Sequence, residues 1–280
     1  MYKYKPVVDG LLMAVIAYHL YVSGFTKVEE SFNIQAVHDM VNYGVFPHET
    51  VEQHYDHVQF PGAVPRSFVG ALLIAGAVKV VNLATSLFGY DMVGAGDQTQ
   101  VMVVGRAVLG LANGVMLMRV RNTIDGITFR DKNSKIKGMI GFWFMVLLVS
   151  QFHILYYSSR TLPNFVALPF VSFAISQILK GDYSGLTWLA FAGTVFRVEI
   201  GVFATIIAIV STVGFGQSSL GVNFIMLVAG SVYGAIVTVS IDSYFWGKLV
   251  FPELEAFYFN VILGKSVEWG VEPWGAYFKS

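Results

Sequence analysis

The sequence contains no cysteine and few charges, with 13% of its 280 residues Asp, Glu, Lys or Arg, where about a quarter is usual in soluble domains. Without cysteine there is no disulfide-stapled scaffold, and the redox compartment cannot be read from thiols. A balance of 18 basic against 18 acidic groups excludes a nucleic-acid binder, which needs a basic excess to meet phosphates. A disordered chain would need high net charge and low hydrophobicity, so it is excluded as well. No Gly-x-Ser-x-Gly, P-loop or Rossmann fingerprint occurs, and acyl transfer, nucleotide hydrolysis and hydride transfer therefore find no support. No internal repeat or low-complexity tract is found, and the apolar start has no small-residue cleavage site, so it reads as a retained span.

What is present is hydrophobic: 55% apolar residues, 15% aromatic, and a mean hydropathy of +0.61. That excess is too large for one soluble core and points to an all-α polytopic protein of the lipid bilayer. A spanning helix needs roughly 20 apolar residues, and candidate runs are residues 7–25, 68–88, 101–118, 139–157, 165–179, 186–213 and 222–239. The 28 glycines are scattered through these runs, as expected where helices pack closely in lipid.

Lys and Arg concentrate in cytosolic loops, and the dense basic cluster is Arg119, Arg121, Arg130, Lys132, Lys135 and Lys137. Keeping it on the same side as Lys3 and Lys5 requires residues 68–88, with Lys79 and Asn82 mid-run, to lie along the far face without crossing. It also requires residues 186–213 to form two half-spans broken at Arg197 and Glu199, because charge inside a span marks a break or a polar cavity. In a simpler scheme every run crosses once and the basic loop lies outside; the positive-inside argument favours the first.

Two polar stretches remain for chemistry, residues 26–66 and 242–280. Glu29 and Glu30 follow the first span directly, where desolvation and like-charge proximity raise a carboxylate towards the range of a general base. The same residues also read as a capping box, with Thr26 as N-cap and Glu29 three residues on. Asp56 stands between His54 and His57 without the spacing of a metal site, so no metal is expected; Asp56 and His57 suit hydrogen bonds to a polar substrate. Arg160 offers a planar fork for a phosphate head group, or it snorkels at the interface. Arg197 with Glu199 is either functional or a self-neutralising pair.

Lys27-Val-Glu-Glu-Ser-Phe-Asn-Ile-Gln-Ala-Val-His-Asp, Tyr55-Asp-His-Val-Gln-Phe-Pro-Gly-Ala-Val-Pro-Arg-Ser-Phe, Arg160-Thr-Leu-Pro-Asn, Phe196-Arg-Val-Glu and Asp242-Ser-Tyr-Phe-Trp together resemble glycosyltransferase family 22, and more narrowly its α-1,6-mannosyltransferase branch. Lys265-Ser-Val-Glu-Trp-Gly-Val-Glu-Pro-Trp is similar to a lumenal loop of that branch. The resemblance implies a GT-C fold: a transmembrane module over residues 1–240 with a lumenal catalytic loop at about 26–66, and a second lumenal loop over 241–280. It further implies an endoplasmic-reticulum enzyme with no cofactor. Mannose would move from dolichyl-phosphate-mannose to a dolichyl-diphosphate-linked heptamannosyl oligosaccharide, with inversion. Glu29 and Glu30 stand where the family carries its acidic pair, which marks them as candidate bases, Glu29 first. By analogy Asp56 and His57 would orient the acceptor, while Arg160 and Arg197 would stabilise the leaving phosphate. Chains of the family continue with further spans beyond Tyr277-Phe-Lys-Ser280, so the expectation is an N-terminal half. The rival expectations are an α-1,2-mannosyltransferase of the same family, and a non-catalytic scaffold or small transporter with Arg197 and Glu199 lining its path.

Overall fold

Without water to bond exposed backbone, an apolar chain in lipid satisfies its N–H and C=O groups within helices. The computed structural model follows that rule. It describes residues 4–94, 96, 98–130, 139–273 and 275–276, with the backbone alone at 129, 130, 266 and 269, and among these residues no strand occurs. The chain runs through α1 (Lys5–Val22), a short 3-10 turn (Val28–Glu30), α2 (Ser31–Asn42), α3 (His48–His54), α4 (Asp56–Gln59), α5 (Val69–Ser86), α6 (Gln98–Arg130), α7 (Met139–Ser150) and α8 (Phe152–Tyr157). It continues through α9 (Pro163–Ile178), α10 (Gly185–Val195), α11 (Val198–Ile209), α12 (Leu220–Trp246) and α13 (Pro252–Phe257). Among the described residues four helices are long and apolar enough to cross a membrane: Lys5–Val22, Val69–Ser86, Gln98–Thr128 and Leu220–Trp246. The fold is an all-α polytopic membrane protein.

The helices depart from the apolar runs in three places. α6 continues well past residue 118, because the charges that end its apolar run are paired internally: Arg121 meets Asp9 of α1 at 2.9 Å, and Asp125 meets Lys5 at 3.2 Å. Residues 139–157 divide at Gln151, which is extended (φ −86, ψ 96). α12 outruns residue 239 by seven residues and stops where Gly247 turns left-handed at φ 63. The expected break at Arg197 is present, with Arg197 extended between α10 and α11 (φ −158, ψ 118). The two helices fold back on each other so closely that a methyl at Gly193 would lie 2.5 Å from the Gly201 nitrogen. Of the basic cluster, the Arg130 side chain and Lys132, Lys135 and Lys137 lie outside the described residues.

α6 runs antiparallel to α1: Gly110 packs on Ile16, Gly114 on Met13, and Arg121 on Asp9. α12 lies alongside α10, with Gly230 against Thr187 and Ala190 and Gly234 against Phe191 and Thr194. Both contacts use glycines four residues apart, the spacing that lets backbones approach in lipid. These pairings place the end of α1, the start of α9, the α10–α11 junction and the end of α12 at one end of the bundle.

α5 is long enough to cross; it meets that same end at Gly70, beside Val166 and Phe196, and the start of α6 at Ile74 and Val78, beside Gly105. Its first turn is capped by Asp242 near the end of α12, which accepts the Phe68 N–H at 2.6 Å. Its last turns hold the loop into α6, where Asn82 donates to Asp91 at 2.9 Å and accepts the Met92 N–H at 2.9 Å. α2 packs along it, and Ala36, Val37 and Met40 share a buried core with Ile74, Val78, Val101 and Phe245.

Gly230→Leu is expected to lower the thermal midpoint of the purified protein, because an added Cβ alone would sit 2.2 Å from the Thr187 carbonyl oxygen. Overpacking of this kind costs about 1–3 kcal/mol. Gly76→Ala, where a Cβ meets nothing within 4 Å, should be neutral or stabilising, and equal midpoints for the two variants would contradict the packing described.

Candidate active site

The residues that follow α1 have no helical partners for their carbonyls, and Ser23, Gly24 and Phe25 offer theirs to two arginines. Arg160, between α8 and α9, donates to Ser23 O (2.5 Å) and Phe25 O (2.8 Å). Arg106 of α6 donates to Gly24 O (3.0 Å) and Thr26 Oγ1 (3.3 Å). Two buried guanidinium groups require an anion, and Glu30, fully buried, supplies it. Its Oε2 lies 3.2 Å from Arg106 Nη2 and its Oε1 3.3 Å from Arg160 Nη1. Backbone N–H groups of Thr161 (3.3 Å) and Lys27 (3.2 Å) also donate to this carboxylate, and Asn33 Nδ2 donates to the Thr161 carbonyl.

The capping box is therefore shifted by one residue from its expected place. Glu30, not Glu29, reaches back to the backbone, and it does so at Lys27; the Thr26 hydroxyl is taken by Arg106. The physical reason is that only the residue facing the arginines gains an ion pair by folding inward. Glu29, next in the same 3-10 turn, is left exposed.

Glu29 lines a cavity of about 360 Å³. The opposite walls bring Arg66 and Ser67 before α5, Asn164 at the start of α9, Arg197 at the α10–α11 junction, and Glu253 of α13. Arg197 Nε donates to Asn164 Oδ1 at 2.7 Å, while Trp246 Nε1 donates to the Arg66 carbonyl at 3.1 Å and so fixes that loop. Glu253 accepts the Val198 N–H at 3.1 Å, capping α11. Burial pushes its carboxyl up to about 7, against the lowering effect of that hydrogen bond and of nearby Arg197. The cavity thus carries an exposed carboxylate, two guanidinium groups and a carboxyl half-protonated near neutrality.

The other residues singled out in the sequence lie elsewhere. Arg160 is buried and spent on Glu30 and the Ser23 and Phe25 carbonyls, so it does not line the cavity. His57 is boxed by the rings of Phe32, Tyr55, Phe68 and Trp246; burial holds its imidazole down at about 4, and it lines neither of the cavities described. Asp56 lines a separate cavity of about 380 Å³ between α2, α5 and α6, with Gln35, His38, Gln98 and Arg106. Glu199 lies in the first turn of α11 and lines a shallow groove with Arg197. Among the described residues no three His, Asp or Glu side chains converge as a metal site.

Residues 11–280 match the Alg9-like mannosyltransferase family. The chain belongs to this family. A Dol-P-Man:Man(7)GlcNAc(2)-PP-Dol alpha-1,6-mannosyltransferase of Saccharomyces cerevisiae is 39% identical to it over 97% of this chain and 50% of the relative. Proteins of the same name from Drosophila melanogaster and Arabidopsis thaliana are 35% and 34% identical, again over 97% of this chain, and over 37% and 51% of their own lengths. The chain spans about half the length or less of the curated relatives it matches. No solved structure matches it.

In this Alg9-like chain, Glu29 and Arg197 meet at one cavity, and Glu30 and Arg160 meet in one ion cluster. Residue-by-residue reasoning missed Arg106, although a lone arginine in an apolar run signals a buried anionic partner. It also gave no role to Arg66, Asn164 or Glu253, which only the meeting of distant helix ends brings to Glu29.

Glu30→Gln should leave two buried guanidinium groups short of charge and destabilise the protein by about 3–5 kcal/mol, while the exposed Glu29→Gln should not shift the thermal midpoint. Equal stability of both variants in the same detergent would contradict the ion cluster.

Proposed function

We propose that this chain carries the catalytic cavity of a dolichyl-phosphate-mannose-dependent α-1,6-mannosyltransferase that adds the eighth mannose to the dolichyl-diphosphate-linked heptamannosyl oligosaccharide. It would work in the endoplasmic-reticulum membrane, with the carboxylate end of the bundle in the lumen. The α-1,6 activity named for relatives up to 39% identical favours this reading over α-1,2 transfer. The observation that carries it is the exposed Glu29 at a cavity whose other walls supply Arg66 and Arg197.

In the proposed reaction the acceptor hydroxyl oxygen attacks the mannosyl anomeric carbon on the face opposite the phosphate. Glu29 takes the hydroxyl proton as the new C–O bond forms. The bond from that carbon to the phosphate oxygen breaks, and its electron pair leaves with dolichyl phosphate. A β-phosphate donor then yields an α-mannoside. Arg66 and Arg197 face the charge developing on the leaving phosphate, where fixed donors are most effective. Glu253, protonated in part at neutral pH, leaves the Arg197 charge uncancelled. Glu30, Arg106 and Arg160 hold the turn that presents Glu29.

Microsomes from cells expressing the chain, given dolichyl-phosphate-mannose and the heptamannosyl acceptor, should form a product whose new linkage is α-1,6. An α-1,2 product would overturn the assignment. Glu29→Gln should cut turnover by about 10²–10⁴-fold, the usual contribution of a general base, and full activity of this variant would remove the base. Because the Glu253 carboxyl is pushed up, it loses its proton as pH rises through about 7. Turnover should therefore fall on that alkaline side, and Glu253→Gln should abolish the fall.

A further inference from the structure

A groove of about 840 Å³ lies at the opposite end of the bundle, between α6 and the residues that follow α9. Asn164 at the first turn of α9 lines the carboxylate cavity, whereas Leu179 and Lys180 just beyond its last turn line this groove. The two sites are therefore about 24 Å apart along the helix at 1.5 Å per residue.

The charged residues lining it, among those described, are Arg119 and Lys180. Arg119 is held in place: its Nε donates to Ser176 Oγ at 3.0 Å, its Nη2 to Gln177 Oε1 at 3.5 Å, and its guanidinium carbon lies 4.6 Å from the centre of the Phe173 ring. Lys180 is exposed. Asp182, the nearest carboxylate in sequence, is turned to Gln177 Nε2 (2.9 Å) and the Ser184 N–H (3.0 Å) and does not line the groove. The remaining walls are largely apolar and open outward, with Val115, Ile127 and Leu179 each about two-fifths exposed or more (45%, 40% and 42%).

We propose that this groove binds an anionic glycerophospholipid, with the headgroup phosphate between Arg119 and Lys180 and an acyl chain along Val115, Ile127 and Leu179. Net charge of two at the mouth selects an anion, and apolar walls on membrane helices select one that carries a hydrocarbon tail. Free phosphate matches the cations but leaves the walls uncovered. A zwitterionic phospholipid covers the walls but brings its own cation against the two side chains. Basic pockets between membrane helices recognise anionic head groups in this way. The inference is independent of the proposed transferase reaction.

The test is binding of labelled phosphatidylglycerol and phosphatidylcholine, matched in acyl chains, to the purified chain in detergent micelles. One saturable site should prefer phosphatidylglycerol by about thirtyfold, which corresponds to about 1 kcal/mol for each of two cations. The double variant Arg119→Gln, Lys180→Gln should lose that preference, and the charge-keeping Arg119→Lys should retain most of it. Millimolar inorganic phosphate should not displace the lipid, and a polyprenyl phosphate should compete no better than phosphatidylglycerol. Equal retention of the two lipids, an unchanged double variant, displacement by free phosphate or a strong preference for polyprenyl phosphate would each overturn the proposal. If the double variant fails to fold, Lys180→Gln alone, at an exposed position, should still weaken the preference severalfold, and no change would count against the site.

Discussion

The site end of this protein depends on one buried carboxylate held between two arginines. A charge in a membrane protein is tolerated when it is paired and its remaining hydrogen-bonding groups are filled. Glu30 meets that condition with Arg106, Arg160 and two backbone N–H groups. Through the same arginines the cluster reaches the carbonyls of Ser23, Gly24 and Phe25 just after α1, so the end of α1, α6 and the α8–α9 link are tied at a single point. Removing the Glu30 charge leaves two buried guanidinium groups without their anion.

The adjacent residue takes its character from this arrangement. In a 3-10 turn, successive side chains point about 120° apart, so turning Glu30 inward directs Glu29 outward. Two neighbouring carboxylates thus separate into a structural anion and a free one without any difference in side-chain chemistry. A second acidic tie works in parallel across the cavity: Asp242 accepts the Phe68 N–H and the Thr238 hydroxyl, which seats the start of α5 against the end of α12. Together the two ties fix the near and far walls of the cavity that Glu29 enters.

The acidic pair, the break at Arg197 and the polytopic helical architecture were legible in the sequence, because each rests on local signals: charge beside an apolar run, charge within one, and run length. The one-residue shift in the capping box was not legible, since capping propensity at Thr26 is local while the pull on Glu30 comes from residues 76 and 130 positions away. Arg160 illustrates the same limit. A guanidinium near the membrane surface suits a phosphate, but both terminal nitrogens of this one are turned to protein oxygens. His57 sits beside an aromatic-proline turn in the sequence, and four rings, from α2, the α3–α4 link, the residue before α5 and the end of α12, enclose it in the fold.

The central claim is the division of labour between Glu29 as the free, proton-accepting carboxylate and Glu30 as the anchor of the arginines. The most direct measurement is chemical rescue of mannosyl transfer in Glu29→Ala and Glu30→Ala by added formate, a small carboxylate able to enter an open cavity. The account predicts that formate restores turnover to Glu29→Ala in a concentration-dependent way and leaves Glu30→Ala inactive. Rescue of Glu30→Ala with none for Glu29→Ala would contradict it.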